Sequence, residues 1–144
     1  MKSKDQTIRR RTASQEFNSI FVRLRAILQN HAGTLVVADD SAGRYCLEGS
    51  AGPAVLAAWG GKLRKPSIPV AWVQIGKAYV SYHLMPLYGN PKLHDKMSKE
   101  LKARMQGKTC LNFKRSDEEL FKELEQLTAR GLAAFKKAGY VSDK

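Results

Sequence analysis

Cysteine is scarce in this chain. Cys46 and Cys110 are the only two among 144 residues. No C-x-x-C and no Cys/His cluster supplies the ligand spacing of a zinc site, and two thiols cannot form the disulfide framework of a small secreted scaffold. Both lie in segments that read as strands among apolar neighbours, so they are expected as buried or half-buried free thiols. Other features are missing too. No apolar run approaches the roughly 20 residues of a membrane helix. No apolar stretch follows the basic N-terminus, as it would in a secretory signal. There is no G-x-x-x-x-G-K-[ST] phosphate loop and no internal repeat. A cytoplasmic protein with no membrane partner and no cofactor is the expectation.

Acids are also few. Thirteen Asp and Glu face 25 Lys and Arg, a formal charge of +12. Such a balance favours an anionic partner, nucleic acid or a phosphorylated small molecule, although lysines that simply keep a small domain soluble account for part of it. Hydrophobic content of 43% and charged content of 26% suit an ordinary globular protein. The length suits one domain with a core that needs no staples. Residues 1–13 are polar, basic and aperiodic and read as a disordered tail. Residues 14–144 read as a single domain.

Along that domain, Ser14 is the expected N-cap of a first helix whose apolar stripe runs from Phe17 through Ile20, Phe21, Leu24 and Ile27 to Leu28. Gly33 is its expected left-handed stop. Strands are expected at Thr34–Ala38 and Arg44–Glu48 around an Asp39–Gly43 turn. Pro53–Trp59 fits a short helix or an apolar strand, and Gly60–Pro69 a loop. Asn90 and Pro91 open a helix with a seam of Leu93, Met97, Leu101 and Met105, with a break at Ser98. Thr109–Phe113 alternates as a last strand. Ser116–Glu119 has the form of a capping box before a final helix.

Val70–Tyr88 is the clearest segment. Gly76-Lys77, between two runs rich in β-branched and aromatic residues, predicts a two-residue type II′ turn that sets Ile75 opposite Ala78 and Val73 opposite Val80. Alternation then puts Ala71, Val73, Ile75, Ala78, Val80, Tyr82 and Leu84 on an apolar face expected to be buried. Trp72, Gln74, Tyr79, Ser81 and His83 share the other. The order of elements predicts an α+β fold, an antiparallel sheet of about five strands with helices packed on one face.

Three blocks resemble the YdhG-like family, also called domain of unknown function 1801: Tyr79–Tyr88, Ser98–Leu101 and Met105–Lys114. The likeness spans about residues 14–138. It implies an α+β domain with an antiparallel sheet and flanking helices, and little about activity. One branch of that family is described as a frataxin-like iron chaperone, which implies an acidic ridge on the first helix. Here that helix carries Glu16 as its only acid, beside Arg23 and Arg25, and no metal-binding residue carries over.

The candidate binding residues are Trp72, Gln74, Tyr79, Ser81 and His83 on the polar hairpin face, with Lys108 as a nearby anion donor. Asn112 and Lys114 extend that set. Aromatic faces beside cations are how single-stranded nucleic acid is held. The plainer reading is a face covered by a second layer. His83 beside hydroxyls also fits a general base, but no carboxylate in the strand accompanies it, so no catalytic residue is assigned. His31 and His94, near helix ends, are expected to be exposed. The expected function is a non-enzymatic module for an anionic ligand, with iron handling or an enzyme centred on His83 as alternatives and the oligomeric state open.

Overall fold

The computed structural model describes residues 12–58 and 67–141. The domain is an α+β structure built on one six-stranded sheet whose paired neighbours are all antiparallel. Helix α1 (Ala13–Asn30) precedes β1 (Val36–Ser41) and β2 (Arg44–Ser50). Helix α2 (Pro53–Ala58) leads towards β3 (Ser67–Ile75) and β4 (Val80–Leu84). A 3-10 turn at Met85–Leu87, short helices α3 (Pro91–Asp95) and α4 (Lys99–Lys102), strands β5 (Met105–Gln106) and β6 (Cys110–Phe113), and the long helix α5 (Glu118–Lys137) complete it. The spatial order is β1-β2-β3-β4-β6-β5.

Alternation along the strands decides how the layers assemble. Tyr45, Leu47, Ala71, Val73, Val80, Tyr82, Leu84, Leu111 and Phe113 are buried on one face. They join Ile20, Leu24, Ile27 and Leu28 of α1 and Leu120, Phe121, Leu124 and Leu127 of α5 in one core. Phe113 meets Phe121 edge-on at 5.3 Å between ring centres. Within this apolar contact, the Tyr82 hydroxyl meets Thr128 Oγ1 at 2.7 Å, and Thr128 donates to the Leu124 carbonyl at 2.8 Å. Gly131 lets α5 approach the 3-10 turn, since a Cβ there would stand 3.2 Å from that of Pro86.

The structure corrects several expectations. The β3–β4 register is Ile75↔Val80, Val73↔Tyr82 and Ala71↔Leu84, two residues from the one the sequence suggests. The connection is a four-residue loop, Gly76–Tyr79, closed by the Gly76 N–H donating to the Tyr79 carbonyl at 2.9 Å. Gly76 is not among the glycines at positive φ, so no type II′ turn forms. Because side chains alternate with period two, a slip of two leaves the strand residues on their expected faces, while Ala78, expected on the buried face, lies exposed in the loop.

The first helix is capped by Thr12 in a reciprocal box with Gln15, not by Ser14, so Thr12 and Ala13 belong to the helix rather than to a tail. The rest of the expected tail lies outside the described residues. β1 runs through Asp39 and Asp40, with a register shift between Val37 and Asp39. Asp39 is kept in the ladder by Arg44, whose guanidinium donates to it at 2.9 Å. The turn shrinks to Ala42-Gly43, with Gly43 at φ +80°. Pro53 starts a helix, and Ser67–Pro69 open β3 instead of ending a loop. Pro69 sits beside a register shift opposite Glu48, a position where its missing N–H costs no regular ladder bond. Residues 59–66 of the expected loop lie outside the described residues. Met105 belongs to the short edge strand β5, which makes the sheet six-stranded, and α5 is capped by Asp117 rather than by a Ser116 box. The Ser116 N–H is instead taken by Glu16 at 2.6 Å.

Candidate functional site

The second face of the sheet carries two parallel rows of polar and aromatic side chains. Cross-strand pairing aligns Cys46, Trp72, His83, Cys110 and Gln106 in one row and Arg44, Gln74, Ser81 and Asn112 in the other. Trp72, Ser81, His83, Cys110 and Asn112 are half-buried and Gln74 is exposed. α1 and α5 contribute their buried residues to the opposite side, while on this face Cys46 at the β2 end of the first row is buried.

The centre of the first row is a stack. The His83 imidazole lies 4.5 Å from the Trp72 indole between ring centres, with 12° between the planes. β3 and β4 place these two residues directly opposite each other, and such cross-strand pairs are the contact unit of a sheet. His83 Nε2 stands 3.8 Å from Cys110 Sγ, and that thiol donates to Asn112 Oδ1 at 3.3 Å. A thiol has one proton, so the imidazole is left to donate its Nε2–H to sulfur. Asn112 passes the chain on to Gln106 Oε1 at 2.5 Å, which also accepts from the Tyr79 hydroxyl at 3.3 Å. Gln74 and Ser81 make no side-chain hydrogen bond among the described residues, so both are available to a ligand.

Electrostatics at the pair do not favour nucleophilic chemistry. Burial, and next the charge of Arg44, lower the His83 pKa. Burial raises the Cys110 thiol. Both shifts favour the neutral thiol and neutral imidazole over a thiolate–imidazolium pair. What the arrangement offers is a half-exposed aromatic pair, each ring covering one face of the other, flanked by amide and hydroxyl groups.

Five of the six residues read from the sequence meet in this region: Trp72, Gln74, Ser81 and His83 in the rows, and Tyr79 through Gln106. Lys108 is placed differently. Its ammonium stands over the ring of Tyr88 at 5.5 Å. Cys110, Cys46, Gln106 and Arg44 complete the rows and are not among the candidate residues the sequence points to. The alternation of Cys110 and Asn112 against the buried Leu111 and Phe113 carries a signal for the first, whereas a two-residue strand such as β5 carries none for Gln106.

His31 and His94 are half-buried rather than exposed. His31 pairs with Glu125 at 3.1 Å and His94 with the Leu87 carbonyl at 2.9 Å. Among the described residues no three His, Cys, Asp or Glu side chains converge as a metal site requires. No helix among them is long and apolar enough to cross a membrane. No family model, curated protein or solved structure matches the chain.

Proposed function

We propose that the chain is a cytoplasmic, YdhG-like, non-enzymatic module that holds a nucleotide unit, free or within a strand, on the polar face of its sheet. The observation that carries this reading is the half-exposed Trp72–His83 stack. A base has a π-face whatever its identity, and stacking on an aromatic side chain contributes about 1–3 kcal/mol per base. The unpartnered Gln74 and Ser81 side chains supply hydrogen bonds to base edges or sugar, and the overall charge of +12 draws the phosphate. An acid/base enzyme centred on His83 is supported less well, because among the described residues no carboxylate orients the imidazole and its hydrogen-bond neighbour is a thiol that burial keeps neutral.

The test is a titration of Trp72 fluorescence in a Trp59→Phe background, with uridine monophosphate and with oligouridylate at about 50 mM salt. Saturable quenching is expected, and calorimetric titration of Trp72→Ala, which lacks that fluorescence signal, should show affinity weakened roughly tenfold, in the range that loss of one stacking partner produces. Absence of binding to both probes would remove the reading.

A further inference from the structure

Among the described residues three arginines have carboxylate partners. Arg23, Arg25 and Arg44 hold carboxylates at 2.6, 3.8 and 2.9 Å. Between residues 99 and 115 the sequence places six cations against one carboxylate, Glu100. Lys99, Lys102, Arg104, Lys108, Lys114 and Arg115 are all exposed. None of them has a carboxylate partner among the described residues.

These residues lie on α4, on either side of β5 and just after β6, the elements that border the sheet edge formed by β5. Lys99 and Lys102 lie on α4, which leads into β5. Arg104 precedes β5, and its carbonyl accepts from the Asn112 N–H at 2.9 Å. Lys108 lies in the turn from β5 to β6, and Lys114 follows the last residue of β6. The six steps from Lys108 to Lys114 span about 20 Å at roughly 3.4 Å per residue of extended chain. Beside Lys108 lies Tyr88, 66% exposed, with the ammonium 5.5 Å from its ring.

Lysines on an edge strand discourage edge-to-edge pairing. That explains one or two charges on a two-residue strand. It explains neither the cations of α4 nor an exposed aromatic ring among them. A cationic track with aromatic side chains along it is the arrangement that holds a single strand. The Gln106–Asn112 amides join this edge to the Trp72–His83 row.

We propose that the β5 edge is the phosphate track of a single-stranded nucleic acid whose bases stack on Trp72–His83 and on Tyr88. The proposal rests on the reading of the polar face as a nucleotide platform and adds that the ligand is a strand. A mononucleotide on the platform reaches few of these cations; a strand crossing the edge reaches several. A duplex keeps its bases stacked on each other and has none to offer the aromatic rings.

The experiment compares uridine monophosphate, single-stranded U and dT dodecamers, a duplex dodecamer and phosphatidylserine vesicles. Each is measured with the intact chain and with a Lys102→Gln/Arg104→Gln/Lys108→Gln/Lys114→Gln variant, all four changes being on exposed side chains. The single-stranded dodecamers are expected to bind at least tenfold more tightly than the mononucleotide. Their logarithmic salt slope is expected to fall by about 3 in the variant, from roughly 0.7 per lost phosphate contact. The variant should keep its mononucleotide-induced Trp72 quenching. Tighter binding of U or of dT identifies the strand as RNA or DNA, and either result supports the proposal. Equal affinity for monophosphate and dodecamer, an unchanged slope in the variant, or preference for the duplex or the vesicles would overturn it while leaving the platform reading in place. Failure of every nucleotide probe removes both.

Discussion

The imidazole of His83 lies nearly parallel to the indole of Trp72, 4.5 Å between ring centres. The indole covers one side of a titratable group, and the Cys110 thiol stands 3.8 Å from its Nε2. The stack therefore ties the acid–base behaviour of this face to its packing.

His83 is expected to titrate below its ordinary value of 6.5, because burial, and then the Arg44 charge, penalise the imidazolium. In the unfolded chain the ring takes its proton near that ordinary value; in the folded chain it does so only at lower pH. Between the two the unfolded state binds more protons, so stability falls as pH drops through 6.5 and levels off below the folded pKa. Proton NMR of the ring should give the depressed midpoint, and Trp72→Ala should move it upward. Denaturant unfolding at mildly acidic and mildly alkaline pH should show a larger acid loss for the wild type than for His83→Gln. A folded midpoint at or above 6.5 would refute the assignment.

Tyr82 and Thr128 form a buried relay with a defined direction. The Thr128 hydroxyl is spent on the Leu124 carbonyl, so the Tyr82 hydroxyl must donate to Thr128. Thr128→Val strands a fully buried phenol donor and is expected to cost about 2–3 kcal/mol, whereas Tyr82→Phe leaves Thr128 still bonded to Leu124 and should cost about 1 kcal/mol. Because the two changes share one partner, the double variant should lose less than the sum. Equal losses for the two single variants in denaturant titrations would contradict this direction, and additive losses would contradict the bond itself.

Gly52 is fixed by a close backbone approach. A Cβ there would stand 2.2 Å from the Gly139 carbonyl oxygen, while the Gly52 N–H donates to the Tyr140 carbonyl at 2.9 Å. Gly52→Ala must push the segment after α5 away and should cost about 1–3 kcal/mol, with faster amide exchange at Ala54, whose N–H donates to Gly139. Unchanged exchange at Ala54 would show that the contact yields without cost.

The two thiols share a row but are separated by Trp72 and His83. Three strand spacings put them about 14 Å apart, beyond the roughly 7 Å Cα limit for a disulfide. Oxidation of the monomer should form no intramolecular bridge. Burial raises both thiols, so alkylation at neutral pH should be slow, and mass spectrometry should find half-exposed Cys110 modified before buried Cys46. Prior modification of Cys46 would contradict the burial order.

The buried face was legible because its pattern is local and redundant. Val73, Val80, Tyr82, Leu111 and Phe113 each announce their side by alternation, and a two-residue error in the turn left every one in place. Strand ends were less legible. Asp39 and Asp40 look like turn residues until Arg44 and Arg25 are placed beside them. β5 is two residues long and has no period to detect. In the candidate site, Trp72 and His83 could be assigned one face from spacing, but Gln106 and Arg44 join them only through pairing between strands distant in sequence.

The sequence by itself determined the α+β layout, the face each hairpin side chain occupies and the excess of positive charge, because these depend on period and composition. Only the tertiary structure decided which residues of α1 and α5 meet the sheet, that Trp72 stacks on His83 on its polar face, and that Lys102, Arg104, Lys108 and Lys114 flank the β5–β6 edge with no carboxylate partner among the described residues. Those outcomes depend on strand order, on which cations find carboxylates in space and on how closely helices approach, and none of these is encoded within a single segment.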